Sequence, residues 1–262
     1  MKPALNIAIS AARAAGQILL RNVARRNELK IQHKGINDFV TEVDYLAEQE
    51  IISVIHKSYP SHTIIAEETG HQEGDECEWI IDPLDGTTNF LHGIPQWAVS
   101  IAMRENNKLQ VGVVYDPFKE ELFCASRGEG ATLNNRRIRV TTHKDLQGSL
   151  IGTGLPYRVD QELDTYLATL RAVLAHTSGI RRAGSAALDL AYVAAGRFDG
   201  FWEFGLNIWD IAAGVLLIQE AGGLVSDFDG GHDYMETGNI VAANGKLFKP
   251  LLTTLNSAVK EA

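Results

Sequence analysis

Two aspartates flank a proline at the end of a short apolar run, in the stretch WIIDPLDGTTNF at residues 79–90. Crowded carboxylates such as Asp82 and Asp85 repel each other, and each raises the pKa of the other unless a cation lies nearby. Mg²⁺ binds carboxylate, backbone carbonyl and water oxygen atoms, and a turn here leaves the Leu84 carbonyl pointing between the two acids. The stretch therefore predicts a magnesium site.

Gly86, Thr87 and Thr88 follow these acids, at a point where a helix or a turn is expected to begin. Backbone N–H groups at the start of a helix bind phosphate, so the same segment predicts a phosphate site. The alternative is a plain turn, because Asp-Pro and Asp-Gly are both turn dipeptides. On this segment alone, the two interpretations stay open.

Other acids stand where predicted strands end or predicted helices begin. They are Asp44, Glu67, Glu68, Glu203 and Asp210. Asp44 and Asp210 also suit the first turn of a helix, where an acid caps N–H groups or complements the helix dipole. Taken together, the acids favour a functional site, because sites gather at the ends of elements in α/β sheets.

The first half of the chain predicts two helices followed by a meander of strands. One helix spans about 4–25, and the second runs from Thr41 to Pro60, with later turns at 106–107 and 118–119. This order is typical of an α+β arrangement. The predicted strands are HTIIA (62–66), EWII (78–81), QWAVSIAM (96–103), LQVGVVY (109–115) and ELFCAS (121–126).

The second half alternates strands and helices, which predicts an α/β layer. The strands are 149–154, 199–204, 224–228 and 239–244, and the helices are 160–176, 184–196, 209–223 and one from about 245. We expect one compact unit with an N-terminal α+β part at 1–145, which carries the DPLDGT loop, and a C-terminal α/β part at 146–262.

The composition narrows the class of protein. The 262 residues carry 33 acids and 24 Lys and Arg residues, for a formal net charge of −9. DNA binding relies on basic surfaces, so no direct DNA binding is expected. Two basic clusters are interpreted as solvated surface. One comprises Arg136, Arg137 and Arg139, and the other comprises Arg181 and Arg182. The two cysteines form no CxxC pair and no apolar run is long enough to span a membrane, which predicts a reduced cytoplasmic protein.

Five segments carry a resemblance to a known family. They are AEET (66–69), WIIDPLDGTTNF (79–90), GSAALDLAYVAAGRFDGFWE (184–203), WDIAAG (209–214) and EAGG (220–223). Together they resemble the inositol monophosphatases, of the SuhB-like bacterial branch, over essentially the whole chain. The resemblance implies a layered αβαβα sandwich of the inositol monophosphatase and fructose-1,6-bisphosphatase type. It also implies a homodimer, two or three Mg²⁺ ions per subunit and inhibition by Li⁺.

The resemblance implies metal-binding and catalytic roles for the acids already singled out. Its metal ligands are Glu67, Asp82, the Leu84 carbonyl, Asp85 and Asp210. Thr87 orients the attacking water, Asp44 supports that threonine, and Glu67 completes the catalytic set. Charge neutralisation and positioning by these groups suit phosphate ester hydrolysis, which needs little covalent help from the protein.

The substrate site is implied in the same way. Gly86 and Thr87 hold the phosphate, and the polyol is contacted by Gly184, Ser185, Ala186, Glu203 and Asp210. Ser185 stands where the family often has threonine, and it keeps the hydroxyl. Lys34 matches a lysine on a mobile loop.

The implied activity is Mg²⁺-dependent hydrolysis of myo-inositol monophosphate to myo-inositol and phosphate, as in an inositol-1-monophosphatase. Phosphatases of fructose bisphosphate or of nucleotide 3′-phosphates share the metal core and stay open as alternatives. Thr88 stands where the nucleotide enzymes usually carry a charged residue, which favours the inositol type. A different class is also open, since SuhB-like members are associated with RNA synthesis. On that hypothesis the chain binds the transcription and rRNA antitermination machinery, alongside or in place of catalysis.

Overall fold

Eight helices and three sheets make up the described part of the computed structural model, which comprises residues 3–26, 31–35, 38–156 and 163–261. The helices are α1 (Pro3–Val23), α2 (Glu42–His56), α3 (Thr87–His92), α4 (Leu163–Leu174), α5 (Ala186–Ala194), α6 (Ile208–Glu220), α7 (Tyr234–Thr237) and α8 (Phe248–Glu261). The predicted helix at 160–176 begins outside the described residues and is observed as α4.

The strands follow the predicted order, with additions. They are β1 (Ile31–Gly35), β2 (Asp38–Thr41), β3 (Thr63–Ala66), β4 (Gly70–Gln72), β5 (Cys77–Asp85), β6 (Ala98–Glu105), β7 (Lys108–Asp116), β8 (Glu121–Ser126), β9 (Gly130–Leu133), β10 (Arg136–Arg137), β11 (Leu150–Thr153), β12 (Gly179–Arg181), β13 (Gly200–Glu203), β14 (Gly223–Ser226) and β15 (Ile240–Asn244). The strands that the sequence did not predict are short and lack a clear apolar alternation, which is the signal on which strand prediction depends.

The large sheet confirms the predicted meander. Its eight strands are ordered β10-β9-β8-β7-β6-β5-β3-β4, and β5 to β10 pair antiparallel in succession. The turn at Asn106 and Asn107 places both residues at positive φ, 49° and 57°, as a two-residue hairpin turn requires. Side chains alternate between faces along β5, so Trp79 and Ile81 enter one core and Ile80 enters another.

The smaller sheet has five strands in the order β12-β11-β13-β15-β14. Strands β11, β12 and β13 are parallel, as the predicted strand–helix alternation requires. β15 runs antiparallel to both of its neighbours, so the sheet is mixed and the α/β prediction holds for only part of it. β15 follows β14 through the short helix α7 and lies between β13 and β14, so it is the strand that runs in the opposite direction.

Five layers result, and they form the predicted αβαβα sandwich. Helices α1 and α2 cover one face of the large sheet, α5 and α6 lie between the two sheets, and α4 and α8 cover the outer face of the small sheet. The central helices are apolar all round, as burial on both sides requires. Their core draws residues from both predicted parts of the chain, and the boundary at 145/146 stays a prediction.

Candidate metal centre and active site

The predicted acid pair lies inside a strand and not in a turn. Strand β5 continues to Asp85, and its register against β6 shifts between Asp82, opposite Ser100, and Asp85, opposite Ala98. Three steps on β5 therefore match two on β6, which is a β-bulge that contains Pro83 and Leu84. The turn interpretation of the opening motif is therefore wrong. A bulge bends its strand and redirects side chains, and here it sets the angle between the two aspartates.

Three of the predicted metal ligands are each anchored through one carboxylate oxygen. Asp82 Oδ1 accepts a hydrogen bond of 2.9 Å from the backbone N–H of Leu84, which fixes the acid within the bulge. Asp210 Oδ2 accepts one of 2.7 Å from the N–H of Asn207, the residue that precedes α6. The other oxygen of each acid accepts no hydrogen bond from the described residues and stays available to a cation.

Asp85 follows the same pattern with more donors. Its Oδ2 accepts from the Ser185 hydroxyl at 2.6 Å and from the backbone N–H of Ala187 at 2.7 Å, at the start of α5. In the described part of the chain, its Oδ1 accepts no hydrogen bond. Hydrogen bonds of this kind orient metal ligands from outside the coordination shell. The predicted substrate residue Ser185 thus also holds a predicted metal ligand.

Burial and like charge act on these carboxylates together. Burial raises the pKa of Asp82 well above its ordinary value, and the neighbouring carboxylates, led by Glu67, raise it further. Burial and then Asp85 have the same effect on the pKa of Asp210. Burial raises the pKa of Asp85 to about 6, although its hydrogen bonds from Ser185 and Ala187 lower it. A divalent cation would remove this cost by stabilising the ionised forms.

The donor set fits a hard cation. Carboxylate and carbonyl oxygen atoms are the ligands that Mg²⁺ prefers, and no sulfur or imidazole is among them. Within the described residues, no three of these acids bring their oxygen atoms within 4.8 Å of one another.

Thr87 and Asp44 are brought into contact by α2 and α3. The Thr87 hydroxyl lies 3.1 Å from Asp44 Oδ1 and 3.1 Å from the Leu84 carbonyl oxygen. The other oxygen of Asp44 accepts from the backbone N–H of Thr41 at 3.0 Å and from its hydroxyl at 2.5 Å, in a capping box at the start of α2. Burial raises the pKa of Asp44, and these hydrogen bonds lower it.

Glu48 is a positioning residue that sequence reasoning missed. It lies one turn after Asp44 on α2 and is fully buried. Its two oxygen atoms accept hydrogen bonds from the backbone N–H groups of Glu68, at 2.8 Å, and Thr69, at 2.9 Å. These bonds fix the turn that follows Glu67. A glutamate on a helical face gives no signal that it caps a distant turn.

The substrate residues predicted at 184–186 line the same cleft, together with Glu203 at the end of β13. The cleft encloses about 580 Å³. Burial raises the pKa of Glu203 to about 8. Asn89 fixes the loop, because its amide donates to the carbonyls of Ala183 at 2.9 Å and Gly184 at 3.2 Å. Lys34 lies in β1, and its side chain is outside the described residues.

Sequence reasoning also misplaced or missed several cleft residues. Arg182, interpreted as solvated surface, is exposed but also lines the cleft. His92 is the last residue of α3 and lines the cleft as well. Asp189 on α5 lines it too and was not singled out. Their positions depend on how α3 and α5 approach the bulge, which no local pattern reports.

A second group of metal-ligand types lies apart from the cleft. His62, Asp75 and Cys77 bring one ligand atom each within 4.8 Å of one another. However, His62 Nδ1 accepts a hydrogen bond of 3.0 Å from the indole N–H of buried Trp79. A neutral imidazole that accepts at Nδ1 carries its proton on Nε2, so neither nitrogen has a lone pair left for a metal. This group therefore does not fit a metal site.

The fold and the arrangement of acids define the class of protein. The family model described as the inositol monophosphatase family matches residues 1–261, and the chain belongs to that family. Among curated relatives, the Nus factor SuhB of Pseudomonas aeruginosa is 55% identical over 261 residues, which cover 97% of this chain and 96% of the relative.

Solved structures confirm the predicted fold type. The crystal structure of the extragenic suppressor protein suhB from Bartonella henselae matches with a TM-score of 0.94 at 46% identity, covering 97% of this chain and 98% of that one. The inositol monophosphatase from Anabaena (Nostoc) matches with a TM-score of 0.87 at 42% identity, covering 97% and 95%. Among the described residues, no helix combines the length and apolarity needed to cross a membrane.

Proposed function

We propose that this chain is a Mg²⁺-dependent phosphomonoesterase that hydrolyses myo-inositol monophosphate to myo-inositol and phosphate in the cytoplasm. One observation carries the proposal: Asp82, Asp85 and Asp210 are each held by a hydrogen bond to one oxygen, with the other oxygen available. Together with Glu67 and the Leu84 carbonyl, they would hold two or three ions. When bound, such ions lower the pKa of water and stabilise the leaving oxygen.

The protein's own groups would then orient the attacking water. The Thr87 hydroxyl has a single proton, and donating it to Asp44 leaves the oxygen lone pairs to accept a hydrogen bond from that water. Thr41 donates to the other oxygen of Asp44, which holds the carboxylate in position to accept from Thr87. Glu67, at the end of β3, lies at the same part of the cleft and would hold the water from a second side.

The phosphate would be bound where α3 begins. Gly86 precedes this helix with φ of 97°, and no side chain caps the first turn. The N–H groups of Gly86 and Thr87 therefore suit a phosphate oxygen. A side chain at Gly86 would come within 2.9 Å of the Gln96 carbonyl oxygen, so the close packing here requires glycine.

The charges of the cleft favour a neutral polyol over a second phosphate. Six carboxylates line it, and the guanidinium of Arg182 is the one strong cation among its described residues. Glu203, which lines the cleft at the end of β13, is suited to bind a hydroxyl group and would repel a further phosphate. This argues against bisphosphates such as fructose bisphosphate and nucleotide 3′-phosphates that carry a second phosphate.

Phosphate release from inositol 1-phosphate, with and without Mg²⁺, tests the proposal. We expect Mg²⁺-dependent turnover that Li⁺ inhibits, and a loss of at least about a hundredfold in kcat for Asp85→Asn, because the variant weakens both a ligand and its anchoring bonds. Asp145→Asn, at an exposed site far from the cleft, is the matched control. Full activity in Asp85→Asn would contradict the metal assignment.

A second candidate function is binding to the transcription machinery. The name Nus factor of the 55% identical relative supports it, as does the association with RNA synthesis implied by the family resemblance. Tagged full-length chain would be incubated with bacterial lysate, and the retained transcription proteins quantified. Retention that is equal for Asp85→Asn and the native chain would support a role separate from catalysis. Retention of no transcription protein would contradict it.

A homodimer is part of the same proposal. It rests on the family resemblance and is supported by the exposed leucines of α4, Leu163, Leu167 and Leu174. Sedimentation velocity over a range of concentrations measures it directly. A single species at the mass of one 28.7 kDa chain would contradict it.

A further inference from the structure

Asp189 is a buried acid in the first half of α5 that the mechanism above leaves without a defined role. Its side chain is 1% exposed and lines the cleft. It does not cap its own helix, because the N–H groups near the start of α5 already have partners. The N–H of Ala187 donates to Asp85, that of Leu188 to the Ser185 hydroxyl, and that of Asp189 itself to the Ser185 carbonyl.

Asp189 also lacks a structural partner among side chains. Its Oδ1 is buried and has no hydrogen-bond partner in the described structure. A buried polar atom without a partner is costly, and native proteins keep few of them. Arg182 is the nearby cation, but it forms no ion pair with Asp189 in the described part of the chain. Asp189 therefore lines the cleft with a carboxylate oxygen that no described residue satisfies.

The neighbours of Asp189 identify the ligand chemistry that would satisfy it. Burial raises the pKa of Asp189 most, Glu203 and Asp85 raise it further, and Arg182 lowers it, so the balance of its surroundings disfavours an anion. An approaching phosphate or carboxylate would meet the same repulsion. A neutral hydroxyl can donate to a carboxylate or accept from a carboxylic acid, and so it suits either protonation state.

We propose that Asp189 is a substrate-binding residue that forms a hydrogen bond with a ring hydroxyl of the polyol, separate from the hydroxyl bound by Glu203. The inference rests on the proposed function and specifies its substrate class. Two acids at one end of the cleft would select leaving groups with at least two correctly placed hydroxyl groups. A simple alcohol phosphate would use the metal centre but not this pair.

The experiment compares two substrates in the full-length enzyme with Mg²⁺. For Asp189→Ala, we expect kcat/KM for inositol 1-phosphate to fall about ten- to hundredfold, as for one lost hydrogen bond to a charged or buried partner. For p-nitrophenyl phosphate, whose leaving group offers no hydroxyl donor at this end, we expect kcat/KM within about twofold of the native enzyme. Asp189→Asn keeps one acceptor oxygen and should recover part of the loss.

Monodeoxy analogues of inositol 1-phosphate identify the bonded hydroxyl. Removing that hydroxyl should lower kcat/KM in the native enzyme and have no further effect in Asp189→Ala, because the pair is then already broken. If Asp189→Ala does not fold, the same cycle is measured with Asp189→Asn. Equal losses on both substrates, or no loss on either, would overturn the inference while leaving the phosphatase proposal intact. Failure of the native enzyme to hydrolyse inositol 1-phosphate would overturn both.

Discussion

Two sets of acids in this protein differ in how completely they are hydrogen-bonded. Asp44 and Glu48, both on α2, accept hydrogen bonds on both carboxylate oxygen atoms. Asp82, Asp85 and Asp210 accept on one oxygen only, within the described residues. The first set positions other groups, and the second is arranged to bind a ligand. Residue type alone does not distinguish them.

The largest expected effect comes from removing an acid of the second set. Asp210→Asn should lower kcat at least about a hundredfold, because it removes a proposed metal ligand. Without Mg²⁺, the same variant should raise the midpoint of thermal unfolding, since it relieves repulsion from neighbouring carboxylates. Activity assays and thermal unfolding in EDTA measure the two effects. A lower unfolding midpoint in EDTA would show that Asp210 is a structural acid like those of α2.

A smaller effect, with the opposite sign for stability, is expected from the first set. In Glu48→Gln, the new amide N–H₂ group faces one of the two backbone N–H donors and cannot accept its hydrogen bond. The free energy of unfolding should therefore fall by about 1–3 kcal/mol. Because the turn after Glu67 loosens, the Mg²⁺ concentration for half-maximal activity should rise about tenfold.

Glu42→Gln, at an exposed position on the same helix, is the control for that measurement and should change neither quantity. Loss of stability in Glu48→Gln with an unchanged Mg²⁺ requirement would show that Glu48 supports the fold alone.

A last expected effect is the pH dependence of the stability of the metal-free protein. Asp85 has a folded pKa raised to about 6 from an ordinary 3.8, so the folded state binds its proton more tightly than the unfolded state. Stability in EDTA should therefore fall as pH rises from about 4 to about 6, and Glu203, with its pKa raised to about 8, should extend the fall to about pH 8. Mg²⁺ binds the ionised acids, so its stabilising effect should grow over the same window. Thermal unfolding from pH 4.5 to 7.5, with and without Mg²⁺, measures both trends.

Much of the fold was predictable because its signals are local. Helix α1, the hairpin at Asn106–Asn107 and the meander from β5 to β8 follow from apolar spacing and turn residues. The bulge at Pro83 was not predictable, because a strand that continues through Asp-Pro-Leu-Asp differs from a turn only in its pairing with β6. The family resemblance named the acids of the cleft, and the structure brings them together.

The remaining site residues depend on contacts between distant segments. Glu48 meets the turn at Glu68 across 20 positions of chain, and Asp189 reaches the cleft only because α5 directs its first N–H groups at Asp85. Sequence patterns report the periodicity of an element and not the partner of each side chain. For that reason Arg182 was interpreted as plain surface.

The hydrogen bonds that join the walls of the cleft also determine when the cleft forms during folding. The Ser185 hydroxyl and Asp85 are separated by 100 positions, and Asn89 and Ala183 by 94. Contacts over such separations carry a large loop-closure entropy and form late during folding. A chain emerging from the ribosome would complete its first sheet long before Asp85 acquires the donors that orient it. Catalytic competence would therefore be among the last properties that a newly made molecule gains.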